Sequence, residues 1–452
     1  MPEPEPSRHE KLIDHSAKPL PAAWLTRTDA AVPTHTRETA PQGLWESGPE
    51  GAMRKEAVGL IRRAESIVCL SSFLLADKEV VSALLDQARL GTRVYVLTGS
   101  EKRLKTEPRE DSEFDQKVFE EHKAMLDSLA GRALLRSGEA LHAKYLVVDP
   151  MGSRSAGMLF TANLTPEALT RNLELAVSLE QQEILDLFAL FRWGFWRQSG
   201  YELFEPGRLE TSRPSGLFNI PKPIRLAVTS SDSLTLKQQV ERLVRKSKNG
   251  LFVTCFGFDQ EHPSTEWIHE AAQAGRDVRV IARVRPRASH MGALLRLVEG
   301  GAKVRGHPYI HAKTILTTID GKREALVMSA NLEPHGLDEG YEAGVLLRGE
   351  RAKSLEGILE HWWEEAPVRL NGRGKRGDVE GEVQLYVEDQ RGGKALGRFE
   401  KAVIVKEYHK DLGVMEGAPK LTPPEQSGIR TLYHRETYTW QTLASRTPSP
   451  TR

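Results

Sequence analysis

The strongest constraint on what this chain can fold into is that it repeats itself. The segment 142-HAKYLVVD-149 recurs as 311-HAKTILTTID-320, with an offset of 169 residues between the two histidines. Upstream, Gly91-Thr-Arg-Val-Tyr-Val is matched by Gly275-Arg-Asp-Val-Arg-Val at an offset of 184, so the first copy carries 15 additional residues. The charged stretch EKRLKTEPREDSEFDQ after Gly99 accounts for them. A period this long is a duplicated domain, not a solenoid repeat. The chain has 452 residues, about three times a ~150-residue domain, so there is room for two copies and something more.

Helical and strand patterns alternate within each copy. AMRKEAVGLIRRAES leads into the strand IVCLSSF, and EVVSALLDQARL ends at Gly91, placed to cap a helix C-terminus, before the strand RVYVLTG. The second copy offers LTLKQQVERLVRKSK, LFVTCFGF, STEWIHEAAQA ending at Gly275, and RDVRVIARV in the same order. This predicts an α/β fold with a mainly parallel sheet covered on both faces. The expected divisions are a flexible arm over 1–45, a first half over 46–199 and a connector with four prolines over 200–224. A second half over 225–370 and a C-terminal extension over 371–452 follow. The extension opens with strand-like EVQLYVEDQRGGKALGRFEKAVIVKEY and becomes a polar tail.

Each copy also carries four reactive side chains in one order. His142 and Lys144 are two apart in an apolar, β-branched run, which puts both on one face of a strand about 7 Å apart. His311 and Lys313 repeat this pair. Asn163 follows His142 by 21 residues, Asn331 follows His311 by 20, and Glu174 and Glu342 each fall 11 beyond their Asn. A phosphodiester site can use every one of these groups. One imidazole attacks phosphorus while a second protonates the leaving oxygen. Lysine and asparagine hold the non-bridging oxygens, and a carboxylate fixes the tautomer through the far ring nitrogen. One copy supplies one histidine, whereas in-line displacement wants groups on both sides of phosphorus. The duplication makes sense if two halves face each other across a pseudo-two-fold axis and share one active site. Asp149, seven residues after His142, is a supporting candidate; the matching position holds Thr318, with Asp320 two further on. Asp320-Gly321 also reads as a hairpin turn, and Asp149, before Pro150, as partly a turn residue. Trp193, Trp196, Trp362 and Trp363 read as duplicated core packing.

With these motifs the sequence resembles the phospholipase D superfamily, defined by paired HxKx4D motifs followed by a small-x-Asn segment. The resemblance covers roughly residues 50–366. It implies a duplicated phospholipase D-like βα sandwich and a two-step reaction through a phosphohistidine, with neither metal nor cofactor. His142 is then the nucleophile and His311 the acid/base. The segment TANLTPEALTRNLELAV is similar to the version in nuclease and helicase-associated members, which makes nucleic acid the expected substrate. A phospholipid, as for the cardiolipin synthases, is the alternative. An inactive nucleic-acid-binding or assembly subunit is a second alternative, opposed by intact His and Lys in both copies.

Charge narrows the reading. Lys+Arg 63 against Asp+Glu 62 leaves a net +1, so no protein-wide field draws anions and any phosphate must be gripped locally. Cys69 and Cys255, in separate apolar runs, are too few for a disulfide scaffold and lack histidines at zinc spacing. They read as buried free thiols in a cytoplasmic protein. MPEPEPSRHEKLIDH has no apolar core and no run of ~18 apolar residues follows, so neither a secretory signal nor an integral membrane segment is expected.

Overall fold

The helices form where their apolar stripes and caps place them in the structure, a computed structural model. Ala52–Arg63 buries Met53, Ala57, Val58, Leu60 and Ile61 on one face. Lys78–Arg89 opens on Asp77, whose carboxylate accepts from the Glu79 and Val80 N–H groups, and closes before Gly91 at φ 92°. Thr235–Lys246 buries Leu236, Val240, Leu243 and Val244 and turns its basic side chains outward from that stripe. The structure describes residues 22–27, 29–31, 41–100, 102, 104, 112–213, 223–284, 288–372 and 383–387. Most of the charged insert after Gly99 and of the C-terminal extension, including its Gly-Gly turn, lies outside the described residues.

The chain divides into two compact units. The larger is drawn from Pro33–Gly257 and Tyr309–Glu360. It contains a nine-stranded sheet in the order Arg208–Thr211, Tyr201–Glu205, Leu134–Gly138, Arg93–Gly99, Ile67–Ser71, Tyr145–Val148, Ala156–Phe160, Leu175–Ser178 and Leu44–Glu46. Only Ile67–Ser71, Arg93–Gly99 and Leu134–Gly138 run parallel among these strands; the remaining pairings are antiparallel. The expectation of a mainly parallel sheet is therefore corrected to a mixed one. Helices cross over between the first strands, but Tyr145–Val148 returns as Ala156–Phe160 through a short turn, which forces antiparallel pairing. The same unit holds Ser233–Leu234, Leu226–Ser230, Glu342–Arg348, Lys322–Met328, Thr314–Ile319 and Gly250–Cys255, side by side in that order.

The smaller unit is drawn from Met1–Val32, Phe258–Pro308 and His361–Arg452. Its strands lie in the order Asp277–Arg283, Lys303–His307, Val368–Asn371, Ala22–Thr26 and Val383–Val387. Ala22–Thr26 falls within the stretch read as a flexible arm. Five residues between prolines are a weak signal, yet Trp24 is fully buried and the strand pairs with Val368–Asn371. Arg27 then donates to the carbonyls of Trp363, Glu364 and Ala366 at 3.1, 3.1 and 2.8 Å. Trp362 and Trp363 are buried here, and Trp193 is buried in the larger unit, where Trp196 is half-buried beneath Arg136. The connector is also more structured than its prolines imply: Tyr201–Glu205 and Arg208–Thr211 form a hairpin about Pro206-Gly207. No helix among the described residues is long and apolar enough to cross a membrane.

The two aspartates held as supporting site candidates serve turns instead. Asp149 is buried at φ 43°, and its carboxylate accepts from the N–H groups of Glu65, Ser66 and Ile67 at 2.7, 2.8 and 2.9 Å. It caps the entry to strand Ile67–Ser71. Asp320 and Gly321, at φ 49° and 76°, form the tight turn between Thr314–Ile319 and Lys322–Met328. Asp320 is 77% exposed and pairs with Lys248 at 2.8 Å. Because Asp149 satisfies three backbone donors at once, Asp149→Ala lowers the free energy of unfolding by about 2–3 kcal/mol in urea titrations, with Asp149→Asn intermediate. An unchanged midpoint contradicts this assignment.

Candidate active site

His142 and Lys144 stand at the mouth of a strand and not inside it, since the strand begins at Tyr145. The reason lies in the backbone. The His142 and Ala143 N–H groups both donate to Tyr341 O, at 3.2 and 2.8 Å, and Tyr341 N–H donates to Ala140 O at 2.8 Å. The second copy does the same. His311 and Ala312 donate to Leu173 O at 3.0 and 2.9 Å, and Leu173 donates to Tyr309 O at 2.8 Å. Isolated parallel bridges, Leu141 with Tyr341 and Leu173 with Ile310, mark the two crossings. Tyr341 immediately precedes Glu342, and Leu173 precedes Glu174. Each histidine's backbone is thus tied to the carboxylate-bearing segment of the other copy, all within the larger unit.

The side chains follow the backbone crosswise. His142 Nδ1 lies 2.5 Å from Glu342 Oε1, and His311 Nδ1 lies 2.5 Å from Glu174 Oε1. Both carboxylates are fully buried. The second oxygen of Glu174 accepts from Thr161 Oγ at 2.6 Å, and that of Glu342 accepts from Ser329 Oγ. Lys144 Nζ is 2.8 and 2.9 Å from the two His142 ring nitrogens; Lys313 Nζ is 2.8 and 3.3 Å from those of His311. Lys313 also donates to Thr161 O at 3.2 Å. Phe73 packs on His142 at 4.8 Å between ring centroids, and Phe256 packs on His311 at 4.6 Å, with nearly the same tilt. The asparagines have other partners. Asn331 donates to Glu333 at 3.0 Å, Asn163 Oδ1 has no hydrogen-bond partner among the described residues, and neither side chain is hydrogen-bonded to a histidine among them.

Several of these partners escaped the sequence reading. Thr161 and Ser329 open the paired TAN and SAN segments, where a hydroxyl two residues before each Asn was the available signal. Phe73 ends the run IVCLSSF, and Phe256 lies two residues before the end of the matching run LFVTCFGF. His335, 6.0 Å from His142 between ring centroids, has no such signal, because its counterpart in the first copy is Glu167.

Burial dominates the electrostatics. It pushes His142 down to about 3; Glu342 opposes this and Lys144 reinforces it. Burial likewise lowers His311 to about 4 against the pull of Glu174. Burial also works to raise both glutamates, but the facing histidine and the lysines outweigh it and hold Glu174 and Glu342 below the ordinary carboxylate value. Lys313 is lowered by burial. Ionised carboxylates accept, so Nδ1 of each imidazole carries the proton and Nε2 keeps its lone pair. Such a pair can attack an electrophile from one side and handle a proton on the other.

Residues 58–193 match the family model described as "Cardiolipin synthase, PLD-like domain". No curated protein matches the sequence. Among solved structures, phosphatidylserine synthase from Haemophilus influenzae Rd KW20 is similar with a TM-score of 0.52 and 13% identity, over 90% of this chain and 97% of that one. Polyphosphate kinase from Porphyromonas gingivalis gives 0.43 and 19%, over 70% of this chain and 49% of that one, so this chain spans about half its length. Nuc, a phospholipase D family member from Salmonella typhimurium, gives 0.29 and 17%, over 32% of this chain and 97% of that one. The synthase likeness shows the fold. Residues 58–193, which hold the first of the two motif copies, form a phospholipase D-like domain.

Acid should therefore destabilise the protein in a defined window. Besides His142 and His311, burial lowers His122 and His307 to about 4. The unfolded chain binds these protons near pH 6.5 and the folded one only much lower, so the stabilisation is complete above about pH 7 and is lost as pH falls toward about 4. Glu174 and Glu342, lowered in the fold, add their loss below about 4.5. Thermal unfolding followed from pH 7.5 to 4.5 is expected to show a continuous fall in Tm; a flat or rising profile contradicts the assignment.

Proposed function

We propose that this chain, built on a phospholipase D-like domain, cleaves phosphodiester bonds of nucleic acid through a covalent phosphohistidine. The observation that carries the reading is the crossed pair of His–Glu contacts, each with a lysine at its ring. His142 Nε2 attacks phosphorus as the bond to the leaving oxygen breaks, and His311 donates a proton to that oxygen. His311 then takes a proton from water, whose oxygen attacks phosphorus and breaks the P–N bond. Lys144 and Lys313 hold the non-bridging oxygens, where charge builds in both steps. Asn163 and Asn331 stand by as further donors. His142 is given the nucleophile's role because it lies in the first of the two motifs, whose histidine is often the nucleophile in the superfamily the sequence resembles. His311 acquires its proton when the bound phosphodiester adds negative charge beside it.

Two observations bear on the substrate. The likeness of TANLTPEALTRNLELAV to nuclease-type members supports nucleic acid. The cardiolipin synthase named by the matched family model, with the synthase fold above, supports phospholipid as the second reading.

Purified protein should cleave single-stranded DNA, duplex DNA or RNA in EDTA. His142→Ala and His311→Ala should each lose activity by about 10³-fold, within the range for removing an acid/base group or nucleophile. Acid-labile phosphate trapped on His142 in the His311→Ala variant supports the assigned order. Strict dependence on a divalent cation contradicts the mechanism, and cleavage of phospholipid vesicles alone moves the substrate to the second reading.

A further inference from the structure

The two copies share the His, Lys, Asn and Glu of the candidate site, and two of their differences lie close in sequence to those residues. Tyr309, two residues before His311, occupies the repeat position of Ala140. Arg171, three before Glu174, occupies that of Glu339. The segments flanking His311 and Glu174 therefore carry an aromatic ring and a cation where those flanking His142 and Glu342 carry a methyl group and an acid.

The aromatic side is built into the site. Tyr309 O accepts from Leu173 N–H at 2.8 Å, one of the bonds that fix His311 against Glu174. Two residues of chain put the Tyr309 backbone within about 7 Å of His311. The Arg171 guanidinium lies 5.6 Å from the centre of the Tyr309 ring, and its backbone N–H is held by Glu167 O at 2.9 Å. Arg171 is exposed and Tyr309 is 42% exposed, although its backbone is pinned on the buried side. A partly exposed ring two residues from His311, with a guanidinium beside it, matches a flat base attached to a phosphate. An acyl lipid offers the phosphate and no flat π-face.

Resting on the nucleic-acid reading above, we propose that Tyr309 and Arg171 form a shelf for single-stranded nucleic acid. An unpaired base stacks on Tyr309, and the adjoining phosphate meets Arg171 on the His311 side of the scissile bond.

The test compares binding of an oligodeoxythymidine and an abasic oligonucleotide of equal length by fluorescence anisotropy. It uses the full chain in EDTA with His142→Ala throughout to prevent cleavage. With Tyr309 present, the thymidine strand should bind about tenfold more tightly than the abasic one. Tyr309→Ala should abolish that ratio and Tyr309→Phe should retain it. Arg171→Ala should reduce the slope of log affinity against log salt by about 0.7. A ratio near one with Tyr309 present, or a ratio unchanged by Tyr309→Ala, overturns the shelf. Cleavage of DNA by the wild type with no dependence on bases overturns the shelf alone. No cleavage of any nucleic acid, together with cleavage of phospholipid vesicles, overturns both the shelf and the reading beneath it.

Discussion

Leu173 and Tyr341 are each clamped by three backbone hydrogen bonds to the peptide that carries the other copy's histidine, and the candidate site depends on those clamps. A carboxylate orients an imidazole only when both backbones are held to within about 0.5 Å. The residue after each clamp is the glutamate and the residues clamped are the histidine and its neighbour. Orientation thus follows from main-chain bonds before any side chain is placed. Thr161 and Ser329 then fix the carboxylates from behind, and Phe73 and Phe256 limit how far each ring can tilt. A single copy folded alone would leave its histidine without a carboxylate and its glutamate without the imidazole it faces, a costly arrangement for a buried charge.

The charges at this site balance. Lys144, Lys313, Glu174 and Glu342 are all fully buried, two cations facing two anions, and the two imidazoles are held neutral. Burying four charges is costly, and removing one partner strands another. On the mechanism proposed above, a phosphodiester would bring one negative charge and one imidazole proton would restore the balance, linking substrate binding to protonation of the acid. Such a site would hold a phosphate without a basic surface field, in a chain of net charge +1.

Much of the fold and site was legible in the sequence because the repeat doubled each weak signal. The α/β order, the helix ends at Gly91 and Gly275 and the His, Lys and Glu that converge were all readable. The crossing was less so. Each glutamate lies the same distance beyond its asparagine in both copies, so spacing does not say whether it serves its own histidine or the other. The strand reading of His142–Lys144 failed for a related reason, since the His142 and Ala143 N–H groups donate to Tyr341 O and not to a neighbouring strand. Asp149 and Asp320 fit the motif's spacing, yet their positive φ angles and backbone or surface partners put them in turns. Trp24 was missed because a short strand between prolines gives little periodicity, although its burial is complete. His335, Tyr309 and Arg171 have no equivalent in the other copy, and a reading built on repetition passes over what is not repeated.

The central claim is that each glutamate serves the histidine of the other copy, and histidine NMR tests it directly. In protein labelled with ¹⁵N at histidine, the Nδ1 protons of His142 and His311 should appear as two strongly downfield resonances. Glu342→Gln should move the His142 resonance alone, and Glu174→Gln the His311 resonance alone. If Glu174→Gln instead moves the His142 resonance, the pairing lies within each copy and the crossed site described above is wrong.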